Sequence, residues 1–523
     1  MSEPAIEAPS TGIGPAESAI AVGVGIGAFY LLVSLLAGSD LLDRQLWMDE
    51  VHTWLIVSDP DLSHAMTALS RGADYNPPTY YLLLRLFTSI TSVTAASMRA
   101  FSLLSMCAGL GCVAALLRQR VSSKAAMCGT AAIGIQPLII QQATEARFYA
   151  VWFALVAAFC LAKSSRSTSL PGLLVQSILA VMICTVHYFG VISLGLVFLV
   201  DATNAWRNRH EQQRLPALLM RFTPYATGIL ALLGCLGFYF GQRAALSEPT
   251  WISAPTLPKV KGFLAEFLPV IPLVLAVFGW LLSGGLAEKV AADADESEPP
   301  RSSSRMNLLL AGLGMPITLI VFSYVVQPAL VARYAIVGML AWGPLIATLV
   351  KRAESRFAFT FLAVCLVLCV DNIRDLIWMH EGIQAERNRL AAVLTERSAP
   401  VIFEDRIDHY PAKLANPSGD WFMIDFEQRP TVKPELRIVQ RDAGRAVAEF
   451  YPQLALSSMQ RLVDQGYDSF LVVPYKSQLT DHESGADEAR LMREYPDFEI
   501  KRVERRVYRF RWLGGAMAST HGL

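Results

Sequence analysis

Eleven apolar runs between residues 19 and 375 dominate the sequence, and each is close to the length that a helix needs to cross a lipid bilayer. A bilayer core requires about 17–25 residues of helix, and the backbone polar groups of such a helix are satisfied internally. The pattern therefore predicts an α-helical polytopic membrane protein. The predicted spans are 19–38, 99–117, 125–142, 146–162, 170–186, 187–204, 222–240, 264–283, 306–325, 335–350 and 357–375.

Charged side chains divide the chain into two regions. The sequence carries 45 basic and 45 acidic residues; 48 of them lie in residues 1–378, and 42 lie in the much shorter region 379–523. A mean hydropathy of +0.38 argues against a purely soluble enzyme, and the zero net charge offers no electrostatic basis for nucleic-acid binding. We predict a disordered tail at 1–18, a transmembrane domain at 19–378 with a disordered cytoplasmic linker at 284–305, and a soluble domain at 379–523.

The region after residue 379 alternates short apolar runs with polar helical stretches, which is typical of a small α/β domain. It shows no phosphate-binding glycine loop, nucleophile elbow or metal cluster. An accessory or acceptor-binding role is therefore expected here rather than chemistry. The predicted strands are Val401–Phe403, Trp421–Asp425, Phe470–Val473, Phe498–Val503 and Val507–Trp512, and the predicted helices are 454–466 and 486–495.

Basic residues in the connecting loops predict the orientation, because cytoplasmic loops retain Lys and Arg. The loops on one side carry fifteen Lys and Arg, and the short loops opposite carry five. This places the N-terminus in the cytoplasm, and the long loop 39–98 and the C-terminal domain on the outer face of the cytoplasmic (inner) membrane. The basic loops are 118–124, 163–166, 207–221, 284–305 and 351–356.

The loop 39–98 is predicted to hold two helices at the membrane surface. Residues 59–72 form an amphipathic pattern, with Asp59 as the N-cap and Gly72 as the terminator. The apolar run 79–92 is short for a span and is interrupted by an arginine, so we interpret it as an interfacial helix.

Neither a disulfide framework nor a dedicated metal site is indicated. All eight cysteines lie inside apolar runs without a CxxC pair, as core residues do. No stretch has the ligand spacing of a metal site, although Asp49 and Glu50 could share a divalent ion. No cofactor is firmly implied.

Polar residues gather at span ends on the predicted outer face. An ionisable group at a helix centre in the membrane costs about 2.5–3.5 kcal/mol, so their convergence predicts a shared site. The alternative is that several simply extend to the interface. The candidates are Asp49, Glu50, Asn76, Tyr81, Glu145, Arg147, His187, Tyr188, Arg333 and Tyr334.

The adjacent acids Asp49 and Glu50 lie in the segment LWMDEVHTW, between Trp47 and Trp54. A carboxylate held among apolar neighbours has a raised pKa and can accept a proton from a hydroxyl nucleophile. An acidic residue that merely caps a helix explains the same pair structurally. Both interpretations stay open.

The other candidates also have structural explanations. Arg147 and Arg333 each lie at a span boundary, where guanidinium groups can bind phosphate or extend to the interface. His187 is embedded in an apolar run, where packing histidines are common. Asn76 before two prolines is ordinary helix-start chemistry, and Tyr81 could anchor an interfacial helix.

Six short motifs occur in one order within residues 40–375 and on one predicted side of the membrane. They are WMDE (47–50), NPPTYYLLLRLF (76–87), MRAFSLL (98–104), TEARFYA (144–150), HYFG (187–190) and ARYA (332–335). Their order resembles that of the GT-C-type membrane glycosyltransferases that use polyprenyl-phosphate sugars, a group that includes protein O-mannosyltransferases and lipid A aminoarabinose transferases.

The resemblance assigns roles to several residues. It implies that Asp49 is the catalytic base, with Glu50 as the competing choice, and that Arg147 and Arg333 contact the donor phosphate. Asn76 departs from the family pattern, because many relatives have a basic or imidazole side chain before the two prolines.

The implied reaction transfers a sugar from a polyprenyl-phosphate donor to a hydroxyl of a lipid, glycan or protein acceptor on the outer face. It needs a base and cations, but no strong general acid, because phosphate is a good leaving group. Direct displacement implies inversion at the anomeric carbon. The alternatives are a transporter or flippase of lipid-linked sugars, for which we find no repeat symmetry, and a non-catalytic envelope-assembly subunit.

Overall fold

The structure is a computed structural model of the 523-residue chain, of which it describes the following parts. They are residues 41–164, 169–207, 215–245, 252, 254–282, 307–351, 355–395, 399–403, 406–424, 445–454, 456–474, 491–493, 495–504 and 506–513, with Gly23, Gly25 and Gly27. The predicted tail 1–18, the predicted linker 284–305 and nearly all of the first predicted span lie outside these residues.

Three short helices precede the first long one: α1 (Met48–Ser58), α2 (Leu62–Ser70) and α3 (Thr79–Thr91). The N-cap of α2 is Asp61, whose carboxylate accepts the backbone N–H of Ser63 at 2.8 Å. The prediction of Asp59 as this cap was therefore wrong.

The start of α3 also differs from the prediction. Its N-cap position is Pro78, and Asn76 lies two residues earlier. The Asn76 amide donates instead to Asp74 Oδ1 at 3.3 Å, so its side chain is drawn away from the helix end. At 13 residues, α3 is not among the helices long enough to cross a membrane.

The membrane fold class is confirmed. Within the described residues, a helix or a helix pair occupies each of the ten remaining predicted spans. Five helices are long and apolar enough to cross a membrane, or up to seven if each bent pair counts as one span. The total of eleven stays a prediction.

The helices of this domain follow one another with short connections. The first eight after α3 are α4 (Ala95–Arg118), α5 (Ser123–Gly134), α6 (Pro137–Ala143), α7 (Tyr149–Ser164), α8 (Leu170–Val186), α9 (Gly190–Arg207), α10 (Leu215–Gly234) and α11 (Leu236–Ala244). The next six are α12 (Leu257–Ala265), α13 (Val270–Leu282), α14 (Asn307–Leu310), α15 (Gly314–Val325), α16 (Trp342–Val350) and α17 (Ser355–Thr395). A 3₁₀ segment, Ala332–Ala341, leads into α16.

Two glycines allow the central helices to approach each other closely, which is how membrane helices gain packing without a hydrophobic driving force. A Cβ on Gly109 of α4 would lie 2.8 Å from Phe153 on α7. One on Gly129 of α5 would lie 2.4 Å from the carbonyl oxygen of Gly343 on α16. These contacts pack α4 on α7 and α5 on α16.

A buried ion cluster ties three helices together at one end of the bundle. Asp201 of α9 lies 3.2 Å from Lys163 Nζ and 2.6 Å from Arg221 Nη2, and it accepts the Tyr225 hydroxyl at 3.1 Å. α7 starts at the opposite end, where the backbone N–H of Ala146 contacts Glu50 of α1. We call that opposite end the outer-loop end.

We expect Asp201→Asn to destabilise the protein, because it leaves the buried Lys163 ammonium without a counter-charge. Breaking a buried ion pair typically costs about 3–5 kcal/mol. The measurement is thermal unfolding of the detergent-solubilised protein. The matched control is Asp371→Asn, which removes an exposed 2.7 Å pair with Arg374 and should cost about 0–1 kcal/mol. Equal effects of the two substitutions would contradict a structural role for the cluster.

The C-terminal domain is built on a six-stranded sheet with the order β3-β2-β1-β4-β6-β5. Strands β3, β2, β1 and β4 are parallel, and β6 and β5 are antiparallel. The strands are β1 (Val401–Phe403), β2 (Trp421–Ile424), β3 (Leu456–Ser457), β4 (Ser469–Val473), β5 (Phe498–Glu504) and β6 (Val507–Trp512).

The predicted α/β character of this domain is confirmed, with additions. The five predicted strands are present, and helix α19 (Met459–Asp464) falls within the predicted helix 454–466. Helix α18 (Arg406–Ala415) and the short strand β3 were not predicted. Helix α17 has 41 residues, about 60 Å of helix, and runs across the predicted boundary at residue 379.

The C-terminal domain docks on the outer-loop end of the membrane domain. Tyr410 of α18 and Tyr451 share one buried apolar cluster with Val51 and Leu55 of α1. Helix α1 therefore lies between the two domains.

Candidate active site

The two adjacent acids of α1 have different surroundings. Glu50 is fully buried and binds Arg99 through both oxygens, with Nε to Oε1 at 2.8 Å and Nη2 to Oε2 at 2.5 Å. Its oxygens also accept the backbone N–H groups of Ala146 at 2.8 Å and Trp47 at 3.1 Å. Burial acts to raise the pKa of Glu50, but the Arg99 guanidinium brings this pKa below its usual range. Glu50 is thus occupied in holding the fold.

Arg99 ties the loop before α1 to the start of α4. Besides Glu50, its guanidinium donates to the carbonyl oxygens of Leu42 at 2.8 Å and Gln45 at 3.2 Å, and to that of Arg44. Arg99 was not predicted as a site residue. The signal for it was a single charged residue at the start of an otherwise apolar span.

Asp49 faces Arg333 across the site. Asp49 Oδ2 lies 3.3 Å from Arg333 Nη2, and the two side chains are 18% and 19% exposed. Arg333 Nε also donates to the Tyr149 hydroxyl at 3.1 Å. The rings of Trp47, Tyr149 and Tyr334 lie 5.7, 5.8 and 5.9 Å from the guanidinium carbon, which is within cation–π range. The structure thus brings together residues that are 284 positions apart in the chain.

Arg147 is buried beside this pair and is neutralised by Asp74. Its Nη1 and Nη2 groups donate to the two Asp74 oxygens at 2.6 and 3.3 Å. Nη1 also contacts the backbone carbonyl of Asp49 at 2.8 Å and Thr53 Oγ1 at 3.0 Å. Arg147 therefore holds the backbone of the residue that faces Arg333.

Asp74 anchors a second row of predicted residues and was not itself predicted. It accepts the Tyr81 hydroxyl at 2.6 Å and the Asn76 amide at 3.3 Å. Gln242 links this row onward, because its amide donates to the Asn76 carbonyl at 2.9 Å and its Oε1 accepts the Tyr188 hydroxyl at 2.8 Å. Tyr81, Asn76 and Tyr188 thus belong to the frame around Arg147 and do not contact the Asp49 and Arg333 side chains.

Glu145 is a buried carboxyl group without an ion-pair partner within 4 Å among the described residues. Its two oxygens accept the side-chain amides of Gln141 at 2.8 Å and Gln142 at 3.2 Å. Burial, and then the negative charge of Glu50, raise the pKa of Glu145. Glu145 is therefore the one predicted site acid with a raised pKa.

This raised pKa predicts a pH effect on stability. The folded protein holds the Glu145 proton to higher pH than the unfolded chain, so this group's contribution falls as pH rises above the ordinary carboxyl pKa. Glu145→Gln removes that titration while keeping a neutral, hydrogen-bonding side chain. We expect the Tm difference between Glu145→Gln and wild type to shift in favour of the variant from pH 5 to pH 8. A difference that does not change with pH would contradict a raised Glu145 pKa.

His187 packs inside an aromatic cluster. Its ring stacks on Phe148 at 4.6 Å and lies 4.7 Å from Trp152 and 5.8 Å from Tyr334. Burial, and then the charge of Arg147, lower the pKa of His187 to about 3. His187 is therefore neutral at physiological pH and forms part of the aromatic wall next to Tyr149 and Tyr334.

The described residues do not contain a group of three or more His, Cys, Asp or Glu side chains that could hold a metal ion. The pair Asp49 and Glu50 does not fit a shared ion either, because both Glu50 oxygens are engaged by Arg99. All eight cysteines are free.

These features, a polytopic helical domain with bent helix pairs, outer-loop helices and an α/β domain docked beside them, define a GT-C-type membrane protein fold. The structure is similar to two crystal structures of ArnT from Cupriavidus metallidurans. For the apo state the TM-score is 0.55 at 13% identity, over 93% of this chain and 98% of that chain. For the structure bound to undecaprenyl phosphate it is 0.52 at 12% identity, over 93% and 97%.

Sequence comparison adds no further relatives, since neither a family model nor a curated protein matches the chain. At 12–13% identity, the likeness to ArnT establishes the fold. The predicted resemblance to GT-C-type proteins is thereby confirmed for the fold.

Proposed function

We propose that this protein is a membrane glycosyltransferase that moves a sugar from a polyprenyl-phosphate donor to a hydroxyl group of a lipid, glycan or protein acceptor. The observation that carries the proposal is the Asp49–Arg333 pair. Its atoms are 3.3 Å apart and both side chains are partly exposed, whereas the neighbouring pairs Glu50–Arg99 and Asp74–Arg147 are shorter, at 2.5 and 2.6 Å, and buried. One acid and one cation thus stay accessible inside a rigid charged frame.

In the proposed reaction, Asp49 is the base. It accepts the proton of the acceptor hydroxyl as that oxygen attacks the anomeric carbon of the sugar. The bond between this carbon and the phosphate oxygen breaks, and its electron pair stays on the phosphate. Arg333 stabilises the charge that develops there. A single displacement of this kind inverts the anomeric carbon.

Arg147, which the resemblance also assigns to the phosphate, has a different role in this proposal. Its charge is balanced by Asp74, and it holds the Asp49 carbonyl and Thr53. We therefore assign the direct phosphate contact to Arg333, and a positioning role to Arg147. The rings of Tyr149 and Tyr334 and the aromatic cluster of His187 would line the space beside the phosphate.

Two further observations support the proposal. An ArnT structure of the same fold binds undecaprenyl phosphate, which supports a polyprenyl phosphate as the donor carrier. The site and the C-terminal domain lie at the outer-loop end, opposite the Asp201 cluster and the basic loops 163–166 and 207–221. The preference of basic loops for the cytoplasm supports a site on the outer face of the inner membrane, with a cytoplasmic N-terminus.

The experiment that tests this function uses the purified full-length protein in lipid nanodiscs. The donor probes are undecaprenyl phosphates that carry different radiolabelled sugars, each offered with lipid, glycan and peptide acceptors. We expect free undecaprenyl phosphate and a labelled acceptor to form without ATP or an ion gradient. If every donor stays intact across this panel, the proposal is wrong; movement of intact donor across proteoliposomes would favour a flippase.

A further inference from the structure

The face of α1 that points away from Arg333 is covered by the C-terminal domain. Val51 and Leu55 of α1 are fully buried in one cluster with Tyr410 of α18 and with Tyr451. The Tyr410 ring also meets His52 edge-on at 5.5 Å. The helix that carries Asp49 in its first turn therefore packs on residues of both domains.

Polar contacts anchor the chain on both sides of α1. Before the helix, the Gln45 amide donates to the Pro411 carbonyl of α18 at 3.1 Å. After the helix, the Tyr451 hydroxyl donates to Asp59 Oδ2 at 3.2 Å, and the same oxygen lies 2.5 Å from His64 Nδ1. The C-terminal domain thus holds the segments that enter and leave α1.

The topology of the sheet explains why α18 reaches this place. Helix α18 follows β1, and the strand order reverses between β1 and β4, so α18 starts at the edge where open α/β sheets usually leave a ligand crevice. Asp408 in the first turn of α18 pairs with Arg506, the residue before β6. In this protein that end of the sheet carries the helix that packs on α1.

We propose that Tyr410 and Tyr451 are positioning residues for Asp49, so that the C-terminal domain completes the active site without touching the substrate. This inference rests on the proposed function of Asp49. The Asp49–Arg333 distance depends on where α1 lies, because Arg333 belongs to a separate element of the membrane domain. A misplacement of about 1 Å in an active site can cost about 10²-fold in rate.

The test compares full-length variants in lipid nanodiscs by two readouts. Hydrogen exchange of residues 48–58 reports the anchoring of α1, and kcat and the donor KM report transfer. The variants are Tyr410→Ala and Tyr451→Phe, with Tyr410→Phe as the conservative replacement. The controls are Tyr467→Ala, an exposed tyrosine of the same domain, and Leu462→Ala in its separate apolar cluster.

We expect Tyr410→Ala to speed exchange in 48–58 and to lower kcat up to about 10²-fold while the donor KM changes little, because Arg333 is not on α1. Tyr451→Phe should act in the same direction but more weakly, and Tyr410→Phe should restore both readouts. In an Asp49→Asn background, Tyr410→Ala should cause no further loss of rate.

Three results would overturn the inference: unchanged exchange in Tyr410→Ala, faster exchange with an unchanged kcat, or an equal effect of Leu462→Ala on both readouts. Failure of the proposed function is a separate outcome. If the wild-type protein transfers no sugar but exchange in 48–58 responds as expected, the anchoring of α1 is supported and the glycosyltransferase assignment is not.

Discussion

Replacement of Asp49 by asparagine is expected to lower the rate of sugar transfer by about 10²–10⁴-fold, the usual contribution of a general base. The change keeps the size of the side chain and its contact with Arg333 but removes the group that accepts the acceptor proton. Because the carboxylate is partly exposed and its pair is long, at 3.3 Å, the fold should not depend on it. The measurement is kcat with the labelled donor, alongside Tm.

Donor binding separates this role from a structural one. In Asp49→Asn, undecaprenyl phosphate should bind as tightly as in wild type or more tightly, because Arg333 loses a competing anion. Arg333→Gln is the matched comparison, since it should weaken binding of the same lipid. Normal transfer by Asp49→Asn would show that another group is the base.

The membrane fold could be predicted from the sequence because a span is a local property. Each helix satisfies its own backbone in the bilayer, so apolar length alone locates it. Sorting loop charges by side of the membrane then suggested that Asp49 and Arg333 share one face, although they are 284 residues apart. The structure places these two side chains in contact.

The partners of the charged residues could not be predicted in the same way, because a pairing depends on how helices pack. Asp49 and Glu50 are neighbours in sequence, but successive residues on a helix point about 100° apart. One therefore faces Arg333 and the other Arg99. Asp74 lies in a turn with no motif of its own, and its role is visible only once Arg147 is seen beside it.

The C-terminal domain shows the same division. Its strands were visible as apolar runs, whereas α18 was missed because it is a short helix with a proline inside it. That helix is the part of the domain that contacts α1. The function inferred for the domain thus depends on an element that local sequence patterns did not reveal.

Replacement of Glu50 by glutamine is expected to have the largest effect on stability. It leaves the Arg99 guanidinium fully buried without a counter-charge, and removing one partner of such a pair costs about 3–5 kcal/mol. The carbonyl oxygens of Leu42 and Gln45 remain as its partners but carry no full charge. We expect a large drop in Tm in detergent, with low yields of folded protein.

A double-mutant cycle tests whether the pair is the cause. Arg99→Gln alone should also destabilise strongly, whereas Glu50→Gln with Arg99→Gln should lose less stability than the two single changes added together. The exposed pair Asp371–Arg374 gives the matched cycle, with a coupling of about 0–1 kcal/mol. If Glu50→Gln instead folds with a wild-type Tm and loses transfer, the roles of the two adjacent acids are reversed and Glu50 is the base.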